Sequence, residues 1–419
     1  MGRPTVHIIG AGLAGLAAAV RLSEGPCAIV IHEASPQAGG RCRSFFDETI
    51  NATIDNGNHL LLSGNYAALA YLEAIGASGE LKGPKRCEIA FADLATNERW
   101  TIRVNEGPLP WWLLVEERRP PGVRLLDGLG VMRLFWASKD ATIAQAMTCS
   151  GALYERLWRP FLLAALNTEP RDASARLAAA TIRETLAKGG RACRPLVAAA
   201  GLSRAFVDPA LKLLQKRNAQ IRFERRLRGI EFGGDRIVGL EFEHDSRTLD
   251  EGDFAILATP AHVAATLVPD LIAPQQTNAI LNGHFNIAPP PGTPAIIGVV
   301  NGITQWVFAY PDRLSVTVSD AGRFMDAPRD KLAADLWREV AGLTGLADAL
   351  PSWRIIKERR ATFAALPEEA ERRPPTATAW RNLLLAGDYV RTGLPATIEG
   401  AIRSGNAAAE IALARFDAS

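Results

Sequence analysis

Cysteine is scarce and unpatterned in this chain. Its 419 residues hold five, Cys27, Cys42, Cys87, Cys149 and Cys193, with no C-x-x-C pair among them. An odd, scattered set excludes a disulfide framework and a zinc-finger type of site, so no metal is expected. It fits a reducing, cytoplasmic compartment. An excess of charge is missing as well: 47 Lys and Arg stand against 45 Asp and Glu, a formal net charge of +2. Without a basic surplus nucleic acid is not an expected partner. No apolar run reaches the roughly 20 residues that span a bilayer. The first strand opens by about residue 5, which leaves no room for a cleavable signal peptide. Sequence repeats, low-complexity tracts and disordered linkers are also missing. A soluble or peripheral protein is expected.

What the chain does have is apolar bulk, 48% of its residues, enough for two interleaved domains. Val6-His7-Ile8-Ile9 reads as a short buried strand, and Gly10, Gly12 and Gly15 follow as G-x-G-x-x-G before an alanine-rich helix. The first glycine permits a tight turn, the second lets the backbone approach a pyrophosphate, and the third lets the helix pack on the sheet. The pyrophosphate then sits among the free N–H groups of the helix start, at Leu13 and Ala14. A second strand, CAIVIHEAS, ends at Glu33, eighteen residues after Gly15. With Ala34 beside it, Glu33 is placed to hydrogen-bond a ribose. This is the opening of a Rossmann-like dinucleotide-binding unit.

Two further segments separate FAD from NAD. Gly39-Gly40-Arg41 follows the second strand. A plain NAD dehydrogenase has no use for this glycine pair. A two-domain flavoprotein does, because the chain must leave past the cofactor's phosphates, to which Arg41 adds a charge-assisted contact. Near the other end, the apolar strand from Asn382 to Ala386 runs into Gly387-Asp388, and Asp388 can bond a ribityl hydroxyl. A loop with Gly393, Pro395 and Ala396 then enters a helix near Thr397, whose N–H groups face the electron-rich edge of an isoalloxazine. The cofactor expected is FAD, held noncovalently, since the C-terminal segment has no cysteine.

As an ensemble these elements resemble the FAD-dependent amine oxidase and phytoene desaturase superfamily. The resemblance implies an α/β (α+β two-domain) flavoprotein. A discontinuous FAD-binding domain of residues 1–75, 196–265 and 381–419 is interleaved with a substrate-binding domain of 76–195 and 266–380, which holds a helical apolar tunnel. Residues 201–244 read as helix, strand, turn at Gly233-Gly234-Asp235 and strand, followed by a buried strand broken at Pro260. By the resemblance, the backbone near Leu227 lies along the adenine, and segment 54–66 runs close to the flavin.

The blocks DNGNHLLL, RLWRPFLLAALNTEPRDASAR (156–176), QWVF (305–308), KERRATFAALP (357–367) and 385–405 narrow the resemblance to the hydroxysqualene dehydroxylase family, also described as squalene-associated FAD-dependent desaturases. It runs from end to end and is strongest at 5–66, 156–176 and 357–409. Asn58 departs from it: the family pattern has Gln there, and Asn keeps the amide with a shorter reach. The implied reaction removes the hydroxyl of hydroxysqualene to give squalene for hopanoid synthesis, with hydride from N5 of the reduced flavin reaching a delocalised allylic cation. His59 is the first candidate for the proton donor and Asp55 the second. The Leu- and Ala-rich helix before Asn167 and Thr168 suits a tunnel wall or a packed core equally. Three alternatives stay open: a carotenoid-type desaturase, an amine oxidase on the same fold, and a non-catalytic flavin- and lipid-binding accessory protein.

Segment 108–136 combines Trp111, Trp112, Phe135 and Trp136 with Arg118, Arg119, Arg124 and Arg133. Aromatic residues with arginine suit a membrane interface. The alternative is that the aromatics are core and the arginines a solvated face. The expected partners are hydroxysqualene, a membrane surface and neighbouring pathway enzymes. The expected place is the cytoplasm, peripheral on the cytoplasmic membrane face.

Overall fold

The computed structural model describes residues 3–417; residues 1–2 and 418–419, at the ends of the expected FAD-binding domain, lie outside the described residues. The first layer is a five-stranded parallel sheet. Strands β1 (Thr5–Ile9) and β2 (Ala28–His32) flank helix α1 (Leu13–Leu22). β1 lies between β2 and the strand Phe254–Leu257; Gln220–Arg222 borders β2, and Leu383–Leu385 forms the far edge. Three remote stretches of chain therefore meet in one sheet.

Such a sheet is covered on both faces, so its inner strands are largely apolar. Alternate side chains go to opposite sides. Val6, Ile8, Phe254, Ile256 and Leu384 pack with α1 and the C-terminal helix Ile398–Asp417. Ile9, Ala255, Leu257, Leu383 and Leu385 pack with Ile237, Leu240 and Phe242 of a small antiparallel sheet formed by Leu227–Gly233, Arg236–Phe242 and Ser246–Thr248. Small residues let the two helices approach closely: a Cβ on Gly405 would stand 2.1 Å from the Ala14 carbonyl oxygen.

The other half of the molecule is a seven-stranded sheet, ordered Trp353–Phe363, Thr277–Phe285, Leu314–Val318, Trp306–Ala309, Ile296–Val300, Glu88–Asp93 and Arg99–Arg103. Helix Arg329–Thr344 packs against it through Leu336, Trp337 and Val340. The helix at 156–166, read from the sequence as a tunnel wall or a packed core, has most of its large apolar side chains buried. Leu157, Trp158, Leu162 and Leu166 join the core, each at most 5% exposed. Asn167 ends that helix with φ of 47°, a left-handed turn that asparagine tolerates. Its side-chain amide donates to the Thr362 hydroxyl (2.9 Å) and its oxygen accepts the Asp320 N–H (2.7 Å). Thr168 accepts the Ala365 N–H at 2.8 Å. These two polar residues fasten the helix to the large sheet.

One polar pair sits inside the parallel sheet. His7 on β1 and His32 on β2 are neighbours in register, with Nδ1 of His7 3.1 Å from Nε2 of His32. Both are buried. A single shared proton satisfies the contact, whereas two imidazolium rings would present two donors and repel. Burial lowers His7 to about 4 and His32 to about 3; for His32 the neighbouring His7 lowers it further. The folded state thus excludes protons that the unfolded chain accepts below its ordinary histidine value near 6.5. Stability is full above about pH 6.5 and falls as the pH drops from there toward about 4 and 3. Each such group removes about 1.4 kcal/mol per pH unit within its window. Urea unfolding at pH 7 and pH 5 should show this loss, and the doubly substituted His7→Asn, His32→Gln protein should lose less over the same interval.

Candidate functional site

The glycine-rich turn between β1 and α1 is shaped by two tight contacts and one opening. Gly10 has φ of +112°, and a Cβ there would lie 2.6 Å from the Ala258 carbonyl oxygen. At Gly15 a Cβ would lie 2.0 Å from the Gly10 carbonyl oxygen. Gly12 is open, with nothing within 4 Å of where a Cβ would be. It starts α1 without a side-chain cap, and the N–H groups of Leu13, Ala14 and Gly15 have no acceptor within the helix. Gly39, with φ of +107°, donates its N–H to the Ala11 carbonyl at 2.8 Å. A Cβ on Gly40 would stand 3.5 Å from the Gly12 Cα. Two bare glycine corners thus face each other over the helix start. A slot without side chains, floored by N–H donors at a positive helix end, fits a diphosphate.

Glu33 follows β2 directly and is half-buried. One carboxylate oxygen accepts the Ala11 N–H and the other the Ser35 N–H, both at 2.8 Å. Each oxygen keeps a lone pair for a ribose hydroxyl. The Glu33 carbonyl accepts the Arg225 N–H at 2.8 Å, which draws segment 224–227 alongside. Leu227, at the start of its strand, is buried there; Ala34 is exposed.

From the sequence, Arg41 and Asp388 are each expected to touch the cofactor separately. The structure makes them each other's partner, through two parallel hydrogen bonds of 2.7 Å. Arg41 donates also to the Ala361 carbonyl at 2.6 Å, on the long strand of the large sheet. The Asp388 carboxylate holds the Arg41 guanidinium above its ordinary range. Gly387 donates its N–H to the Ser404 hydroxyl at 2.8 Å. Thr397 accepts the Gly400 N–H at 3.0 Å and so caps helix Ile398–Asp417, with Pro395 and Ala396 leading in. With its fork on the carboxylate, Arg41 fixes Asp388 and the walls of the cleft.

The two candidate proton donors fare differently. Asp55 is buried; one of its carboxylate oxygens accepts the Ser44 hydroxyl at 2.5 Å and the Leu202 N–H at 2.8 Å. Burial raises its carboxyl, and the hydrogen bonds it accepts tie it to the scaffold. His59 is half-buried. Burial and, secondarily, the Arg41 guanidinium lower its imidazole to about 4, so at neutral pH it is a neutral hydrogen-bonding group close to Arg41. Asn58 is absorbed by the large sheet: its amide donates to Thr317 Oγ1 (3.1 Å) and the Val316 carbonyl (3.3 Å), and its oxygen accepts the Tyr310 hydroxyl (3.4 Å).

Sequence reasoning passes over Arg373. It is 2% exposed and donates to the carbonyls of Asp388 (3.1 Å), Tyr389 (3.3 Å) and Val390 (2.6 Å), directly behind the site. In the sequence it stands beside Arg372 in a charged run, and nothing local distinguishes the two. Trp111 and Trp112, a pair in the sequence, part company in the fold. Trp111 is 46% exposed and Trp112 only 3%, because a tight 3₁₀ turn, Trp111–Leu114, sends them to opposite sides.

The profile of the flavin containing amine oxidoreductase family matches residues 13–288 and 292–413. Hydroxysqualene dehydroxylase of Rhodopseudomonas palustris is 51% identical over 411 residues, 98% of this chain and 98% of that protein. Hydroxysqualene dehydroxylase of Sinorhizobium fredii is 49% identical over 408 residues, 97% of this chain and 98% of that protein. Among solved structures, a double mutant of putrescine oxidase has the same fold with a TM-score of 0.72 at 15% identity, covering 98% of this chain and 100% of that one.

Glu33→Ala removes the proposed ribose acceptor together with the tie to Ala11. A hydrogen bond to a charged group is worth about 1.5–3 kcal/mol. The affinity of apoprotein for FAD should therefore fall roughly 10- to 100-fold in a fluorescence titration. Unchanged affinity would take Glu33 off the ribose.

Proposed function

The chain belongs to the flavin containing amine oxidoreductase family and, within it, to the hydroxysqualene dehydroxylases; from that premise we propose that this FAD-dependent oxidoreductase reductively removes the hydroxyl of hydroxysqualene to give squalene. The observation that carries the proposal is a cleft built for a dinucleotide in a chain that matches those dehydroxylases over nearly its whole length. The division of labour that we propose gives the diphosphate to the start of α1 with Gly39 and Gly40, the ribose to Glu33, and the adenine to the backbone near Leu227. The flavin side falls to Gly387, Asp388, and residues 395–397.

Bound and reduced, FAD supplies the hydride. The chain must do the rest. An allylic alcohol that loses water leaves a delocalised cation, which bulk water would capture, so the reacting carbon must be kept dry. Buried Tyr389, next to Asp388, and buried Phe363, on the strand whose Ala361 carbonyl Arg41 reaches, serve that purpose. His59, held neutral, donates a hydrogen bond to the departing hydroxyl and orients it. With the hydride of reduced FAD and one proton taken up from solvent, each hydroxysqualene gives one squalene and one water.

A thirty-carbon isoprenoid resides in lipid, and we place its entry at segment 108–136. No described helix is long and apolar enough to cross a membrane. The segment nevertheless presents Leu109 and Trp136 (both 76% exposed), Leu114 (66%), Leu129 (65%), Trp111 and Met132 (both 46%). So many large apolar groups on one segment mark an interaction surface. Arg118 lies over the Trp111 ring at 4.6 Å, and exposed Arg124 and Arg133 add positive charge for anionic headgroups. The proposed location is peripheral, on the cytoplasmic face.

Anaerobic incubation with reduced FAD and hydroxysqualene should yield one squalene per reduced flavin; bound flavin with no squalene would sink the proposal. His59→Ala should lower kcat by about 10²-fold with FAD content unchanged. The pH–rate profile should show no His59 inflection near 6.5, because that imidazole stays neutral down to about 4. Normal kcat in His59→Ala assigns the residue to packing.

Vesicle sedimentation tests the surface. Trp111→Glu combined with Trp136→Glu should weaken binding to anionic liposomes while flavin content and solubility hold. Residual binding should fall with salt. Trp112 is left intact because it is core. Undiminished binding by the double variant would place the membrane contact elsewhere.

A further inference from the structure

Arg373 is among the largest fully buried side chains of the protein. Buried charges are normally paired, yet among the described residues it forms no ion pair. Its guanidinium is spent on neutral groups: the carbonyls of Asp388, Tyr389 and Val390, and the Thr392 hydroxyl at 3.3 Å. Its other support is the Phe363 ring, 4.9 Å away. Burial lowers it to about 10, with Asp388 opposing that shift and Arg176 and Arg391 adding to it, so it stays cationic at neutral pH. Asp388, the one carboxylate that attracts it, already holds both hydrogen bonds from Arg41. Two guanidiniums therefore share one carboxylate, and a buried positive charge is left over directly behind the loop that we assign to the flavin.

We propose that Arg373 is a positioning residue with an electrostatic role. It holds backbone 388–392 in one arc and keeps the flavin cleft positive, which favours the reduced, anionic cofactor over the oxidised, neutral one. The inference rests on the assignment of FAD to this cleft. A cation behind the 388–390 backbone would act on a bound flavin through the low-dielectric interior, where charge is screened less than in water. Solvent-exposed Arg391 cannot substitute for it.

The test compares Arg373→Lys, which keeps the charge and loses the planar fork, with Arg373→Gln, which keeps an amide donor and loses the charge. FAD binding to each apoprotein and the midpoint potential of each holoprotein are measured. Arg373→Gln should bind reduced FAD at least tenfold more weakly relative to oxidised FAD, which lowers the potential by about 30 mV for a two-electron couple. Arg373→Lys should keep the wild-type potential while binding both forms more weakly. An unchanged potential in Arg373→Gln, or an equal drop in both variants, overturns the electrostatic role. If Arg373→Gln yields no folded protein, the wild-type protein decides. Its potential measured from pH 6 to 8 should correspond to one proton taken up per two electrons, and uptake of two protons overturns the proposal. A wild-type protein that binds no FAD would instead overturn the cofactor assignment beneath it.

Discussion

The bidentate pair between Arg41 and Asp388 joins two residues 347 positions apart, and the site depends on it. Arg41 leaves the glycine corner that faces α1, whereas Asp388 lies three residues beyond the edge strand Leu383–Leu385 of the parallel sheet. The same guanidinium reaches the Ala361 carbonyl on the large sheet. One side chain therefore sets the distance between both ends of the cofactor cleft and the half of the molecule built on the seven-stranded sheet. A rigid fork with several donors can do this; a flexible ammonium cannot hold three directions at once.

The remaining features arrange themselves around that junction. Gly12 and Gly40 keep side chains out of the slot, and Glu33 ties the turn to the end of β2. On the far side the loop after Asp388 is gripped by Arg373. Two polar groups of the cleft segment also act as fasteners: Asp55 closes the hairpin at Ser44 onto Leu202, and Asn58 joins the segment to the large sheet. His59 is left without such duties and stays neutral beside a cation. The exposed apolar side chains of 108–136 lie outside this polar arrangement.

Much of the cofactor half was legible in the sequence, and the reasons are local. The turn at Gly10, the helix after Gly12 and the acid at Glu33 lie within one βαβ-type unit, so spacing alone fixes what they can hold. Thr397 as a helix start and Gly234-Asp235 as a hairpin turn follow from capping and turn chemistry in the same way. The substrate half was less legible. Its seven strands are short or half-polar, and their pairings cross long stretches of chain, as between Glu88–Asp93 and Ile296–Val300. A Leu- and Ala-rich helix beside Asn167 reads alike whether it walls a tunnel or fills a core; in the fold its Leu157, Trp158, Leu162 and Leu166 are buried among residues of the large sheet.

The sequence by itself determined the cofactor class and the end-to-end family resemblance, because a diphosphate cradle is made by backbone within a few dozen residues. Tertiary structure alone decided which charges pair and which are left over. Arg41 and Asp388 each suit a cofactor contact on paper, and only their meeting in space turns them into one staple. Trp111 and Trp112 are equivalent in sequence, and only the turn at that point sends one to the surface and the other inward. Arg372 and Arg373 adjoin one another, yet only Arg373 is enclosed by the carbonyls of the far loop. The physical reason is the same each time: a charge or a ring has its effect through what surrounds it, and those surroundings come from parts of the chain hundreds of residues apart.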